Sequence, residues 1–240
     1  MPAFALLGSG EFEPWTADVD RWLLERSRPG PVFVAPTASA PEGDDVFERW
    51  GTMGIDHYAG LGIVAFILAL RGREDAMADD AAAGLARPSM VFFSGGNPAY
   101  LVETLLQTPL WEAVVAQLDR GMAFAGCSAG AAALGRRCLD TRKLRPGTPP
   151  PADLWAPGLG LFDATIAPHW DTTERVFPGG HEVIRSAAKG PLLGLDERTA
   201  LVGDGRRWTV MGSGTVYLRV GASEESLASG TEIELDLLAR

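Results

Sequence analysis

Residues 121–137 read GMAFAGCSAGAAALGRR, and this stretch decides the fold. Its first residues are an apolar run typical of a buried strand, and the small residues after position 130 favour a helix. Between them lies the pattern G-x-S-x-G, centred on Ser128. A serine at the apex of a sharp strand-to-helix turn needs small neighbours two positions away, because strand and helix approach closely there. Gly126 and Gly130 meet this need, so the stretch predicts a nucleophile elbow that presents Ser128 to a substrate.

Short apolar runs alternate with amphipathic segments through the first half of the chain. Runs of about four to eight apolar residues are typical of strands buried on both faces of a parallel sheet. The predicted strands are 3–7, 31–35, 63–70, 90–93 and 122–125, and the predicted helices are 19–26, 44–50, 74–86, 100–106, 111–118 and 131–137. We therefore predict an α/β fold with a doubly wound, mostly parallel sheet, whose loops at the carboxyl ends of the strands carry the chemistry.

The second half of the chain has a different style. Residues 142–157 are rich in proline and basic side chains, which predicts an exposed loop. A strand over 160–167 and a helix over 183–188 follow. The remaining predicted strands are 192–195, 200–202, 208–211, 216–220 and 232–235, with hairpin turns at Asp204-Gly205 and at Gly212-Ser213-Gly214. The sheet is thus expected to carry a C-terminal antiparallel extension.

Composition limits the class of protein. The 240 residues, 46% of them hydrophobic, are expected to fold as a single α/β domain over 1–240. A net charge of −10 disfavours nucleic acid and anionic membranes as partners. Two cysteines fit a reducing compartment, and neither a signal peptide nor an apolar run of about 18 residues is present, which predicts a cytoplasmic protein.

A serine hydroxyl becomes a nucleophile only when a positioned base takes its proton. The chain has three histidines. His169 follows a predicted strand and Pro168, which would place it at the same edge of the sheet as Ser128. His57 lies in an amphipathic stretch and His181 in a glycine-rich loop, so we favour His169 as the base.

The base needs a carboxylate to orient it and to stabilise its charged form. Asp196 and Glu197 follow a predicted strand directly, and Asp171 lies two positions after His169. We favour Glu197 and leave Asp196 and Asp171 open.

Attack on a carbonyl also needs two N–H donors for the oxyanion. Ala129 would supply one at the start of the elbow helix. Ser94-Gly95-Gly96-Asn97 follows another predicted strand, so Gly96 is the candidate for the second, although two glycines can also serve a turn alone. The loop Gly8-Ser9-Gly10-Glu11 after the first strand is expected to form a wall of the site.

Taken in order along the chain, these motifs resemble those of the S51 serine peptidases, a family that includes aspartyl dipeptidases and cyanophycinases. The shared stretches are Leu7-Gly8-Ser9-Gly10-Glu11, Phe92-Phe93-Ser94-Gly95-Gly96-Asn97, Gly126-Cys127-Ser128-Ala129-Gly130-Ala131, Pro168-His169-Trp170 and Gly194-Leu195-Asp196-Glu197-Arg198-Thr199-Ala200. Together they cover nearly the whole chain.

The resemblance implies a class I glutamine amidotransferase-like fold and a triad in the order Ser, His, Glu, carried here by Ser128, His169 and Glu197. It also implies a dipeptidase that uses no metal or organic cofactor. Family members cleave after aspartyl residues and hold the substrate carboxylate with basic groups, a role that Arg175 and Arg185 could fill here. Asn97 is also expected to bind substrate. Pro98 departs from the family, which usually has Thr or Gln at that position.

Other classes stay open. An esterase of the α/β-hydrolase type also uses an elbow, and a thiol acyl-transfer enzyme would use Cys127 instead of Ser128. A small-molecule-binding protein without turnover would keep the same fold. Trp15, Trp22 and Trp155 are compatible with a homodimer contact or with core positions.

Overall fold

The computed structural model describes residues 2–78, 80, 81, 83, 85, 87–145, 148 and 150–239. Within these ranges the strands are β1 (Ala3–Leu7), β2 (Val32–Ala35), β3 (Ala65–Ile67), β4 (Met90–Phe93), β5 (Ala123–Cys127), β6 (Arg137–Leu139), β7 (Trp155–Pro157), β8 (Thr165–Pro168), β9 (Leu192–Leu195), β10 (Thr199–Gly203), β11 (Arg207–Gly212), β12 (Thr215–Val220), β13 (Ser223–Ala228) and β14 (Glu232–Glu234). The α-helices are α1 (Ala17–Arg26), α2 (Asp44–Gly60), α3 (Arg73–Met77), α4 (Pro98–Leu105), α5 (Pro109–Leu118), α6 (Ala129–Ala132), α7 (Trp170–Val176) and α8 (Gly180–Ala187).

The described strands form one large sheet and two small ones. The large sheet has the order β14-β11-β10-β1-β5-β4-β2-β3. Its strands from β1 to β3 in that order are parallel, whereas β10, β11 and β14 add to the β1 edge in antiparallel fashion. This confirms the predicted α/β fold with a mostly parallel sheet and antiparallel strands from the C-terminal part of the chain. In the described ranges, no helix is long and apolar enough to cross a membrane.

The central strands bury both faces, as their continuous apolar runs predict. Successive side chains of a strand point to opposite faces, so Phe124 joins one core cluster and Ala125 joins the other. Helices α4 and α5 pack against the first cluster, and α1 and α2 pack against the second. The carboxyl ends of β4 and β5 therefore open onto one edge of the sheet, between these layers.

A second sheet with the order β13-β12-β9-β8 lies beside the first, and β6 pairs with β7 in a short hairpin. In the second sheet β8 runs parallel to β9, and β12 and β13 add in antiparallel fashion. The expectation that His169 follows a strand of the same sheet as Ser128 is therefore wrong, because β8 pairs with β9 and not with a strand of the large sheet. The second sheet positions the loops after β8 and β9, each of which supplies a residue to the site described below.

Several predicted elements are wrong in their extent. The helix over 74–86 ends at Met77, because no large apolar side chain follows before Leu85 to give it a buried face; residues 79, 82, 84 and 86 lie outside the described ranges. The elbow helix ends at Ala132, because the chain at Gly135 passes within van der Waals contact of Ala164 and Arg136 N–H then donates to the Ala164 carbonyl (2.8 Å).

The loop over 142–157 contains β7, which pairs with β6, and residues 146, 147 and 149 of it lie outside the described ranges. Only the last part of the predicted strand 160–167 is a strand, β8. The glycines at 212 and 214 do not close a hairpin: β11 pairs with β10 and β14, whereas β12 pairs with β9 and β13. Asp204-Gly205 does join an antiparallel pair, β10 and β11.

Candidate active site

Ser128 stands at the turn between β5 and α6 in a strained backbone conformation, with φ 51° and ψ −112°. Its N–H donates to the carbonyl of Leu7 (3.0 Å), which ties the turn to β1. A Cβ at Gly126 would lie 2.4 Å from the carbonyl oxygen of Gly130, and one at Gly130 would lie 2.1 Å from that of Phe93. Glycine is therefore required at both positions for the turn to close.

His169 lies beside Ser128. It follows β8 directly, and its Nε2 is 2.8 Å from Ser128 Oγ. The residue has a left-handed backbone conformation, with φ 55° and ψ 34°. Its carbonyl accepts a hydrogen bond from Thr173 Oγ1 (2.8 Å), which holds the start of α7 against this turn. The imidazole is thus aimed at the serine by the backbone on both sides of it.

Of the three carboxylates left open by the sequence, the structure brings Glu197 to the histidine. Glu197 Oε1 is 3.3 Å from His169 Nδ1. Asp196 instead accepts hydrogen bonds from Thr215 N–H (2.9 Å) and Thr215 Oγ1 (2.7 Å). Asp171 accepts a hydrogen bond from the Glu197 N–H (2.9 Å), so it fixes the backbone of Glu197 and does not orient the imidazole of His169.

The other two histidines lie elsewhere. His57 Nε2 is 2.8 Å from Oδ2 of Asp20, a carboxylate buried between α1 and α2. His181 stacks on Trp170, and its Nε2 lies 2.8 Å from the Trp170 carbonyl oxygen. Both rings therefore have structural partners away from Ser128.

Gly96 and Ala129 border the same space as Ser128. Ala129 opens α6, where the first N–H groups of a helix have no intrahelical partner. Gly96 has φ 136°, and a Cβ there would lie 2.2 Å from the carbonyl oxygen of Ala38. The Asn97 N–H donates to that same carbonyl (2.8 Å), which fixes the loop after β4 next to the elbow.

Glu11 is a buried carboxylate that the sequence assigned only to a wall of the site. Its Oε1 accepts from the Gly95 N–H (2.8 Å), and its Oε2 accepts from the Cys127 thiol (3.1 Å). Burial, and then the nearby Glu11 charge, raise the pKa of the Cys127 thiol well above its usual value, so the thiol keeps its proton and donates. None of the residues Gly8-Ser9-Gly10-Glu11 is among the described residues that line the cavity, so the expectation that this loop forms a wall of the site is wrong. The feature of the sequence that could have indicated this role of Glu11 is the acidic residue at the end of the glycine-rich loop Gly8-Ser9-Gly10-Glu11.

A cavity of about 390 Å³ opens directly onto Ser128, His169 and Glu197. Arg175 lies at its exposed rim, whereas Asn97 and Arg185 are not among its described lining residues. Asn97 caps α4 by accepting from the Tyr100 N–H (2.7 Å), and its Nδ2 donates to Thr141 Oγ1 (2.8 Å).

Arg185 is engaged outside the cavity. Its Nε donates to the Tyr217 hydroxyl (3.3 Å), and its guanidinium lies over the rings of Trp170 and Tyr217, 5.6 and 5.3 Å from their centroids. The position of Arg185 in the sequence could not predict these contacts, because it does not indicate which face of α8 is directed toward Ser128.

The aromatic residues weighed for a homodimer are partly buried in the structure. Trp15 and Trp22 pack against the core cluster beneath α1, and Trp155 lines the cavity. Homodimer formation and a cytoplasmic location stay predictions from the sequence, as does the division of the chain into a single domain.

The fold and the serine-bearing turn define an α/β protein with a nucleophile elbow, and comparison with known proteins makes the class specific. The model of Peptidase family S51 matches residues 4–211. The chain therefore belongs to peptidase family S51.

Individual relatives agree with this assignment. The chain is 26% identical to Peptidase E of Shewanella amazonensis over 60% of its own length and 63% of that protein, and 34% identical to the cyanophycinase of Trichormus variabilis over 63% of its own length and 52% of that protein. It thus matches about half to two thirds of the length of these relatives. A crystal structure of a peptidase from an acI-B1 Actinobacterium superposes with a TM-score of 0.86 at 29% identity, covering 98% of this chain and 97% of that one.

Proposed function

We propose that Ser128, His169 and Glu197 act as the catalytic triad of a hydrolase that cleaves small peptides or amides through an acyl-enzyme, most closely a dipeptidase. The observation that carries this proposal is the 2.8 Å contact between Ser128 Oγ and His169 Nε2, on a family S51 fold. A base within hydrogen-bond reach of a serine at a nucleophile elbow is the arrangement that such chemistry needs.

In the first half of the reaction, Ser128 Oγ attacks the substrate carbonyl carbon while its proton passes to His169 Nε2. The carbonyl oxygen becomes an oxyanion, for which the N–H groups of Gly96 and Ala129 are the proposed donors. When the tetrahedral intermediate collapses, the C–N bond breaks and His169 gives its proton to the leaving amine. An ester on Ser128 remains.

In the second half, water takes the place of the amine. His169 removes a proton from the water as it attacks the ester, and the proton then passes to Ser128 Oγ as the acid product leaves. Glu197, 3.3 Å from Nδ1, stabilises the imidazolium that forms in each half. Thr172 Oγ1 lies 3.5 Å from the same carboxylate oxygen and helps to orient it.

Arg175 is the proposed anchor for a carboxylate of the substrate, because its guanidinium is exposed at the rim of the cavity. In a dipeptide the carboxyl terminus lies one residue beyond the bond that is cleaved. An arginine at the rim suits this group, since guanidinium and carboxylate form charge-assisted, bidentate hydrogen bonds.

Labelling with a fluorophosphonate probe tests the triad. We expect the folded protein to be modified at Ser128, and Ser128→Ala to abolish the adduct. His169→Ala should slow labelling and dipeptide hydrolysis by about 10³-fold or more, and Glu197→Gln by up to about 10⁴-fold, because the base or its orienting partner is lost. His57→Gln and Glu25→Gln, made away from the site, are the matched controls and should label at the rate of the unmodified protein.

The same experiment separates the other classes. A folded protein that takes no label is a binding protein without turnover. Inactivation by a thiol reagent at Cys127, with activity intact in Ser128→Ala, would transfer the nucleophile's role to the cysteine.

A further inference from the structure

We propose that the cavity beside Ser128 receives an apolar side chain, carried by the substrate residue whose carbonyl is attacked. The inference rests on the proposed function and names its substrate class: small peptides or amides with a leucine- or phenylalanine-like residue before the cleaved bond. The proposed preference for an apolar side chain differs from the acidic side chain that the family resemblance implied.

The walls of the cavity are the first observation. Beyond the reacting groups, the space is bordered mainly by hydrocarbon and aromatic surface from β6, β7, the turn after β6 and the α7–α8 region: Leu139, Leu144, Trp155, Val176, Phe177 and Ile184. Leu139, Leu144 and Trp155 are only half-buried, so they keep apolar surface open to the cavity. Covering that surface with an apolar side chain releases water and is favourable.

The placement of cations is the second observation. Arg185 is held by Tyr217 and Trp170, as described above. Arg137 is not among the described lining residues; it lies over the Trp155 ring, 4.6 Å from its centroid, and donates to the Ala187 carbonyl (3.1 Å). Arg142 bonds to Asp140 and Glu103.

Among the described lining residues, Arg175 is therefore the permanent cation, and it stands at the rim. A carboxylate that entered the cavity would lose its hydration with no charged partner inside, which is strongly unfavourable. An apolar side chain carries no such cost.

The position of the serine decides which substrate residue enters. Gly96, Ser128 and Ala129 all border the cavity, so an acyl carbon bonded to Ser128 Oγ lies at the cavity wall beside the two proposed N–H donors. Its Cα is one bond further, so the side chain on that Cα is the group that reaches the apolar walls. The volume of about 390 Å³ lies near the lower end of the range for small-ligand pockets, roughly 300–1,000 Å³, which suits a substrate of one or two residues.

Boronic-acid analogues of leucine, phenylalanine and aspartic acid test the proposal, because boron adds to the serine hydroxyl and mimics the acyl carbon. Each analogue is mixed with the full-length protein, and the concentration that halves fluorophosphonate labelling of Ser128 is measured. The leucine and phenylalanine analogues should protect at concentrations at least about 10-fold lower than the aspartic acid analogue. Hydrolysis of Leu-Ala, Asp-Ala and Ala-Leu is followed in parallel, and Leu-Ala should have the highest kcat/KM.

A cation added inside the cavity should shift this order. Leu144→Arg changes a half-buried loop position, and it should narrow or invert the ratio between the leucine and aspartic acid analogues. Val64→Arg adds the same charge at an exposed position before β3 and is the matched control, in which the ratio should be unchanged. Trp155→Ala offers a second variant, which should weaken protection by the phenylalanine analogue by about 10-fold.

The outcomes separate the two proposals. If Ser128 labels but the aspartic acid analogue protects as well as the leucine analogue, or Ala-Leu is the better substrate, the apolar assignment is wrong while the triad stands. If the folded protein neither labels nor hydrolyses any of the peptides, the proposed function itself is wrong, and the substrate class falls with it.

Discussion

Glu11 is a buried carboxylate that connects the loop after β4 to the end of β5, the strand that leads into Ser128. Its carboxylate takes the Gly95 N–H from the loop after β4 and the Cys127 thiol from the last position of β5. The side chain is only 6% exposed, so these bonds form away from competing water. Glu11 thus links Gly95, the neighbour of the proposed donor Gly96, to Cys127, the neighbour of Ser128.

We expect Glu11→Ala to lower kcat for dipeptide hydrolysis, and the rate of fluorophosphonate labelling, by about 10²-fold with little change in KM. Losing the anchor of Gly95 displaces a proposed oxyanion donor, and one such donor contributes about that factor. Glu11→Gln keeps an acceptor for the Gly95 N–H and should recover most of the rate.

Glu25→Ala, which removes an exposed carboxylate from α1, is the control for general effects of charge. Equal losses in Glu11→Ala and Glu11→Gln, or a loss that tracks the free energy of unfolding alone, would contradict this positioning role.

At the scale of the elements, α1 and α2 are joined by a buried polar network. Asp20, 1% exposed, accepts from the Tyr58 hydroxyl (2.9 Å) and lies 2.8 Å from His57 Nε2. Sequence periodicity predicted α1 but only the first part of α2, over 44–50, so Tyr58 and His57 lay outside the predicted helix. The network could not be predicted, because an aspartate on one helix and a tyrosine on another are paired only after the helices pack.

Tyr58→Phe should lower the free energy of unfolding by about 1.5–3 kcal/mol, since it leaves one oxygen of a buried carboxylate without its donor. Urea unfolding followed by circular dichroism measures this. Asp18→Ala, which removes an exposed ion pair with Arg21 on the same helix, should change the free energy by less than about 0.5 kcal/mol. Similar values for the two variants would show that the network adds no stability.

The elements that the sequence predicts well are those whose own residues determine them. Strands β1 and β4 have the predicted bounds, because a run such as Met90–Phe93 is apolar at every position and fits only a strand buried on both faces. Strand β13 was not predicted, because it begins with the polar residues Ser-Glu-Glu-Ser and lies at the edge of its sheet. It forms by pairing with β12, and the apolar pattern of its own residues does not indicate that pairing.

The same distinction holds within the site. Ser128 and His169 each follow a strand directly and Glu197 follows β9 after one residue, so the sequence itself predicts each of them at the carboxyl end of a strand. That β5 belongs to one sheet and β8 and β9 to another, and that packing brings these strand ends together, could not be predicted from the motifs. Arg185 and Asn97 are different, since their assignments depend on which way a helical side chain points and on what caps α4. Those facts follow from packing that no motif records.

At the scale of the whole molecule, buried thiols make stability depend on alkaline pH. Burial, with a smaller effect from the charge of Asp140, raises the pKa of the Cys138 thiol from 9.0 to about 12. Burial and the Asp20 carboxylate likewise raise the pKa of Tyr58 above its usual value. These groups stay protonated in the folded protein after the unfolded chain has released their protons, so unfolding becomes more favourable as pH rises.

The stability from Cys138 is fully present below pH 9 and should be lost as the pH rises toward 12, at up to about 1.4 kcal/mol per pH unit. Urea unfolding under reducing conditions at pH 8 and pH 10.5 measures the slope. Cys138→Ala should make the slope shallower while leaving the contributions of Tyr58 and Cys127, whose pKa values burial also raises. An unchanged slope in this variant would contradict the assignment.

The strand order of the large sheet carries a consequence for how the protein is made. Strand β1, at the start of the chain, lies between β5 and β10, and Glu197 immediately precedes the turn into β10. During translation, Ser128 therefore leaves the ribosome before Glu197, the carboxylate proposed to orient His169, has been synthesised. A chain that ends before Glu197 lacks the carboxylate proposed to orient His169, so we expect Ser128 in such a product to react far more slowly with a fluorophosphonate than in the full chain.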